Sequence, residues 1–129
     1  QHRLDHRVAE IAVVAGVHLH KNLGPGLLES VYEAIMADQL SRRGLKVQRQ
    51  AAIPIRYEGI ELPEGFRADL LIEGALLVEL KSVERLLPLH GKQVLTYLRL
   101  LDLPLGLLIN FGGETFKEGV KRIANNYQN

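Results

Sequence analysis

The chain has 129 residues and a mass of 14.4 kDa, a length that suits one compact domain spanning residues 1–129. Sixteen Lys and Arg against fifteen Asp and Glu leave a net charge of +1, which excludes a polycation that holds nucleic acid by bulk charge. Zero cysteines exclude disulfides, thiolate-bound metals and a thiol nucleophile, and the absence of Trp, with four Tyr and three Phe, argues against an aromatic platform for single strands.

Leu4, Val8, Ile11, Ala12, Ala15 and Leu19 recur at helical spacing and predict a helix over residues 4–20, broken by Gly24-Pro25-Gly26. His18 and His20 stand about 200° apart around that helix, so they cannot chelate one ion together, and both are expected at a surface or an interface. The Gly-Pro-Gly turn is not a phosphate-binding loop, because no strand precedes it and no Gly-Lys-Ser/Thr follows. A second helix is predicted from Leu27 to Arg43, with Leu28, Val31, Tyr32, Ile35 and Leu40 as its buried stripe and Glu29 in the first turn.

From Val47 the period changes to that of a strand, with Ala51, Ile53, Ile55 and Tyr57 alternating against Gln48, Gln50 and Arg56, and Pro54 places it at a sheet edge. Phe66–Ile72 and Ala75–Lys81 predict two more strands joined as a hairpin. A helix over Leu89–Leu101 follows, then Leu105–Phe111, apolar almost throughout as a strand covered on both faces should be. Residues 115–125 lean towards helix. The compact solution is an α/β fold: a mixed sheet containing a hairpin, with helices packed on it and an extra helix at the N-terminus. No apolar run is long enough to cross a membrane and no basic-then-apolar leader opens the chain, so a cytoplasmic location is the expectation.

Charge is segregated along the chain. Arg42, Arg43, Lys46, Arg49 and Arg56 form a basic block, whereas Glu58, Glu61, Glu64, Asp69, Glu73 and Glu79 follow with only Arg67 to offset them. These runs can be two solvated faces, or a phosphate-facing edge beside an acidic metal pocket. Glu79 and Lys81 project from one face of a strand otherwise made of Leu77, Val78 and Leu80, and buried charges need partners or a cation. Turn length decides whether Asp69 joins them. A two-residue turn at Glu73-Gly74 sets Asp69 opposite Val78, on the wrong face; a three-residue loop, Glu73-Gly74-Ala75, sets it opposite Glu79. The second register is expected, because two carboxylates so placed can share a divalent cation.

The pattern resembles the PD-(D/E)XK nuclease superfamily: a restriction-endonuclease-like αβββαβ core matches residues 27–111, and the superfamily's Asp and Glu-x-Lys fall on Asp69, Glu79 and Lys81. Ala68 stands where the name has Pro, a departure that costs no ligand. Gly26-Leu27-Leu28-Glu29-Ser30-Val31-Tyr32 and the Leu108-Ile109-Asn110-Phe111 ending are similar to the GxxExxY proteins of that superfamily, and Gln93 with Tyr97 resembles its Gln-x-x-x-Tyr motif. Some relatives with that motif clamp an iron–sulfur cluster with cysteines, a version this chain cannot build.

The resemblance implies a Mg²⁺- or Mn²⁺-dependent phosphodiesterase acting on nucleic acid, DNA before RNA. Asp69, Glu79 and the backbone carbonyl of Leu80 would bind the ion, Lys81 would orient the attacking water, and Glu29 would hold a water or second ion. Gln93 and Tyr97 would position the phosphate, with His90 facing the same cleft. So small a core suggests a homodimer or a protein partner. Two rivals use the same residues: a non-catalytic nuclease-like module that binds nucleic acid or a protein, and a purely structural cluster of ion pairs.

Overall fold

The computed structural model describes residues 2–126, with side chains from residue 6 onward. Its elements are α1 (His2–Leu23), α2 (Glu29–Arg42), β1 (Val47–Tyr57), β2 (Ile60–Ile72), β3 (Leu76–Lys81), α3 (Pro88–Leu101), β4 (Leu105–Asn110) and β5 (Val120–Ala124). The five strands form one sheet in sequential order; β3 and β4 are parallel and every other neighbouring pair is antiparallel. The single parallel step needs a crossover, and α3 supplies it. No helix among the described residues is long and apolar enough to cross a membrane.

Helices cover both faces. Val8, Ala9, Ala12, Ala15 and Leu19 of α1, with Tyr32, Met36, Ala37 and Leu40 of α2, pack on Leu70, Ile72, Val78, Leu80, Leu107 and Ile109. Val94 and Leu98 of α3 pack on Ile53, Leu77 and Leu108 of the opposite face. All six residues of β4 are buried, as its unbroken apolar sequence requires of a strand covered on both sides. β1 is an edge strand, and Pro54 falls where its register with β2 shifts, between Ile53 and Ile55, so the missing N–H interrupts no regular ladder.

Four expectations need correction. The buried stripe of α2 is Tyr32, Glu33, Met36, Ala37 and Leu40; Leu28 and Val31 are exposed and Ile35 is only partly covered. The helix is therefore rotated from its apolar reading, and a carboxylate faces inward. His20 is buried, its ring against Phe111 and Phe116 and its Nε2 2.9 Å from the Gly113 carbonyl, while His18 is exposed as expected. Residues 115–125 are not helical beyond one short 3₁₀ turn at Lys117–Gly119; Val120–Ala124 instead finds a ladder on β4. Finally, β2 begins at Ile60, because Glu58 and Gly59, both at positive φ, close a two-residue hairpin with β1.

The segment after β3 is fastened to the end of β4 by one side chain. Asn110 Oδ1 accepts the N–H groups of Val83 (2.9 Å) and Gly112 (3.0 Å), and its Nδ2 donates to the Val83 carbonyl (2.8 Å). Gly112 is required beside it, since a Cβ there would lie 2.2 Å from the Val83 carbonyl oxygen. This latch fixes the exit of the strand that carries Lys81. Asn110→Ala, which strands buried polar groups, should lower the free energy of urea unfolding by about 2 kcal/mol.

Candidate active site

The β2–β3 turn sets the register on which everything at the site depends. Leu70 pairs with Val78, Leu71 with Leu77 and Ile72 with Leu76, leaving Glu73-Gly74-Ala75 as a three-residue loop with Glu73 and Gly74 at positive φ. Continued by one step, that register sets Asp69 opposite Glu79, as the turn-length argument expects. At this level the backbone ladder gives way to side chains. The Asp69 N–H donates to Glu79 Oε2 and the Leu80 N–H donates to Asp69 Oδ2, both at 2.8 Å. Each carboxylate thus binds the backbone of the strand opposite.

Burial and like charge act together on this pair. Glu79 is buried, and desolvation first, then the Asp69 charge, push its carboxyl up to about 8 against the relief given by the Asp69 N–H and Lys81. Asp69 is raised too, by desolvation first, partly offset by the Leu80 N–H and Gln50, with Glu33 and Glu29 adding repulsion. Lys81, half-buried two residues along the strand from Glu79, is the nearby cation that holds Glu79 down, although no ion pair within 4 Å joins them.

Glu29 opens α2, where its Oε2 accepts the Ser82 N–H at 3.3 Å, and the Ser82 hydroxyl donates to the Leu27 carbonyl at 2.7 Å. The helix N-terminus is thereby tied to the end of β3. Tyr32 holds the approach to that helix: its hydroxyl donates to the Gly24 carbonyl at 2.6 Å and accepts the Leu27 N–H at 3.3 Å. Its ring stacks on Phe111 at 4.2 Å and 5°. The two motifs at 26–32 and 108–111 are therefore one packed unit that delivers Glu29 to the site's edge.

On α3, desolvation first and then the charge of nearby Glu79 raise the Tyr97 phenol, and its ring stacks on Phe66 of β2. Gln93, one turn earlier, is exposed and forms no hydrogen bond among the described residues. His90 serves the helix start, with Nδ1 accepting the Leu87 N–H at 3.0 Å. The basic block is largely committed to carboxylates: Arg42 pairs with Asp38, Arg49 with Glu33 and Arg56 with Glu61, which leaves a weaker cationic edge than the sequence suggests.

Sequence reasoning missed Glu33 and Gln50, and read Arg49 only as part of the basic block. Glu33 is 7% exposed, with Oε2 on Arg49 Nε (3.1 Å) and Oε1 on Gln50 Nε2 (2.6 Å), and Gln50 Nε2 lies 3.3 Å from Asp69 Oδ1. A signal was present: Glu33 stands four residues after Glu29, on the same side of the helix.

The donor set fits a hard divalent cation. Every candidate ligand atom is oxygen, and the mutual repulsion of Asp69, Glu79, Glu29 and Glu33 is the charge a cation would neutralise. Among the described residues no three His, Asp or Glu side chains gather closely enough to enclose an ion. A divalent cation here would be held by two carboxylates and completed by backbone and water oxygens.

A mixed sheet with helix, three strands, crossover helix and strand, carrying an Asp–Glu pair at the level where β2 and β3 part, defines the restriction-endonuclease-like class of α/β folds. The sequence profile of the PD-(D/E)XK nuclease superfamily matches residues 6–123, which is most of the chain, and the protein belongs to that superfamily. The matched stretch takes in most of α1 and β5 as well as the 27–111 core. No curated protein and no solved structure matches the chain.

The raised carboxyls carry a pH signature. A Glu79 that keeps its proton up to about 8 when folded, against an ordinary 4.5, stabilises the fold fully below 4.5 and loses that contribution as pH rises through 8. In EDTA, the wild-type melting temperature should therefore fall between pH 5 and pH 8. Glu79→Gln should flatten that fall and be the more stable protein at pH 8 by roughly 1–3 kcal/mol.

Proposed function

We propose that this protein is a divalent-metal-dependent nuclease that hydrolyses phosphodiester bonds, in DNA before RNA. The observation that carries the reading is the Asp69–Glu79 pair joined across β2 and β3, with Lys81 two residues beyond Glu79. Asp69, Glu79 and the Leu80 carbonyl are the residues that would hold Mg²⁺ or Mn²⁺. Such an ion supplies charge neutralisation at the scissile phosphate and makes a coordinated water more acidic. The Lys81 ammonium orients the attacking water and opposes the negative charge that develops on the phosphate oxygens. Tyr97 and Gln93 present polar groups from α3 to the phosphate, and Glu29 holds a water at the site's edge.

The paired arginines weigh against a module that only binds. Nucleic-acid affinity without chemistry rests on free cationic charge, and here Arg42, Arg49 and Arg56 each face a carboxylate. A second copy or a protein partner would add to the grip on substrate without changing the chemistry.

The test is cleavage of labelled single- and double-stranded DNA and RNA by wild type, Glu79→Ala and Lys81→Ala, with Mg²⁺, Mn²⁺ or EDTA. Wild type should cut duplex or single-stranded DNA only with metal, and each variant should lose on the order of 10²-fold or more in rate. No cleavage by wild type on any of the four substrates would overturn the proposal.

A further inference from the structure

Gln50 is exposed, yet three separate contacts fix it, and it occupies a conformation its type rarely adopts. Its φ is +50°, in the left-handed region that disfavours a non-glycine residue, in the middle of β1 between the ladder pairs Arg49–Leu70 and Ala51–Ala68. Its carbonyl accepts Arg67 Nη1 at 3.0 Å, and its amide nitrogen faces two carboxylates, Glu33 Oε1 at 2.6 Å and Asp69 Oδ1 at 3.3 Å. Strain of this kind persists where the surroundings over-determine it, and such positions concentrate at functional sites.

The chemistry of the contacts gives the amide one orientation. A side-chain amide carries two N–H donors on one end and an acceptor on the other, and a flip would aim its oxygen at two anions. Glu33 makes the choice firm. It is buried, its second oxygen is bound to Arg49, and its first is left to take one of the Gln50 hydrogens. The remaining hydrogen points to Asp69 Oδ1, while the Leu80 N–H holds Oδ2. Both carboxylate oxygens of Asp69 thus have a fixed donor, one from β3 and one from β1.

We infer that Gln50 is a positioning residue for Asp69: aligned by the buried Glu33 carboxylate, which the more exposed Arg49 pairs, its amide holds the Asp69 carboxylate in the orientation in which it takes a divalent cation. The inference rests on the metal-dependent reading above. Glu33 has both oxygens engaged by Arg49 and Gln50, so it acts through Gln50 and not as a ligand. Partners that orient a metal ligand in this way commonly set affinity by a factor of 10–100.

The positive φ makes the role separable from folding. Gln50→Gly relieves the backbone strain while deleting the donor, and Gln50→Asn tolerates the same φ but leaves the amide one carbon short of Asp69. Mn²⁺ binding to each full-length protein, followed by the loss of the free-ion electron paramagnetic resonance signal without substrate, should weaken roughly tenfold in both variants. Their melting temperatures in EDTA should stay level with wild type or rise. A residue that merely supported the fold would lower stability and affinity together. Mn²⁺ affinity within twofold of wild type in Gln50→Asn, or a loss of affinity that tracks a loss of melting temperature in both variants, overturns the role of Gln50 and leaves the nuclease reading standing. A wild-type protein that binds no Mn²⁺ overturns both.

Discussion

Two carboxylates holding each other's strands is the interaction on which this structure turns. At the level of Asp69 and Glu79 the β2–β3 ladder is completed by side chains, with the Asp69 and Leu80 N–H groups given to Glu79 and Asp69 in place of backbone carbonyls. The arrangement satisfies buried donors, which favours it, and brings like charges together, which does not. Desolvation adds to the second effect and pushes Glu79 up to about 8. The sheet therefore holds an electrostatic tension that a proton or a cation can release, and the remaining features of the site are arranged around that fact. Lys81 is the cation set beside it, α2 contributes two further carboxylates, one of them paired by Arg49, and Tyr97 of α3 lies close enough to feel the Glu79 charge.

The scaffold that fixes this tension is built from the same short motifs that gave the chain its family resemblance. Tyr32 and Phe111, from motifs almost eighty residues apart in sequence, stack on each other in the core. The Tyr32 hydroxyl closes the turn before α2, and Asn110 pins the loop after β3. Both residues look like candidates for chemistry in a sequence, and both hold backbone. The groups proposed to act are Glu29, three residues before Tyr32, and Lys81, two residues before the Val83 that Asn110 holds.

How much the sequence revealed varied with how local the determining forces are. The Asp69–Glu79 register could be counted from a turn, because side-chain alternation in a strand has a period of two and a loop has an integer length. The strands from Val47 and from Leu105 were legible for a similar reason, their burial being written in alternation or its absence. Glu33 was signalled only by its four-residue spacing from Glu29, because the apolar residues of α2 are spread around the helix and do not fix which side faces the sheet; its inward turn depends on Arg49 and Gln50, sixteen and seventeen residues away. Val120–Ala124 was misjudged because an edge strand this short owes its conformation to the partner β4, a long-range contact that local preference does not encode. His20 was read as a surface or interface residue, and its partner is a carbonyl ninety-three residues on, a contact that helix spacing does not reveal.

The turn at Glu73-Gly74-Ala75 has a consequence that reaches beyond the residues in it. It lies at the far end of the hairpin from the carboxylates, it touches no candidate ligand, and by ordinary criteria it is a surface loop open to change. Yet its length is an address: adding or removing one residue would exchange Asp69 for a neighbour and present Leu70 or Ala68 to Glu79. Substitutions in this loop should be tolerated and single-residue insertions or deletions should not. In this loop the number of residues constrains the site more tightly than their identity does.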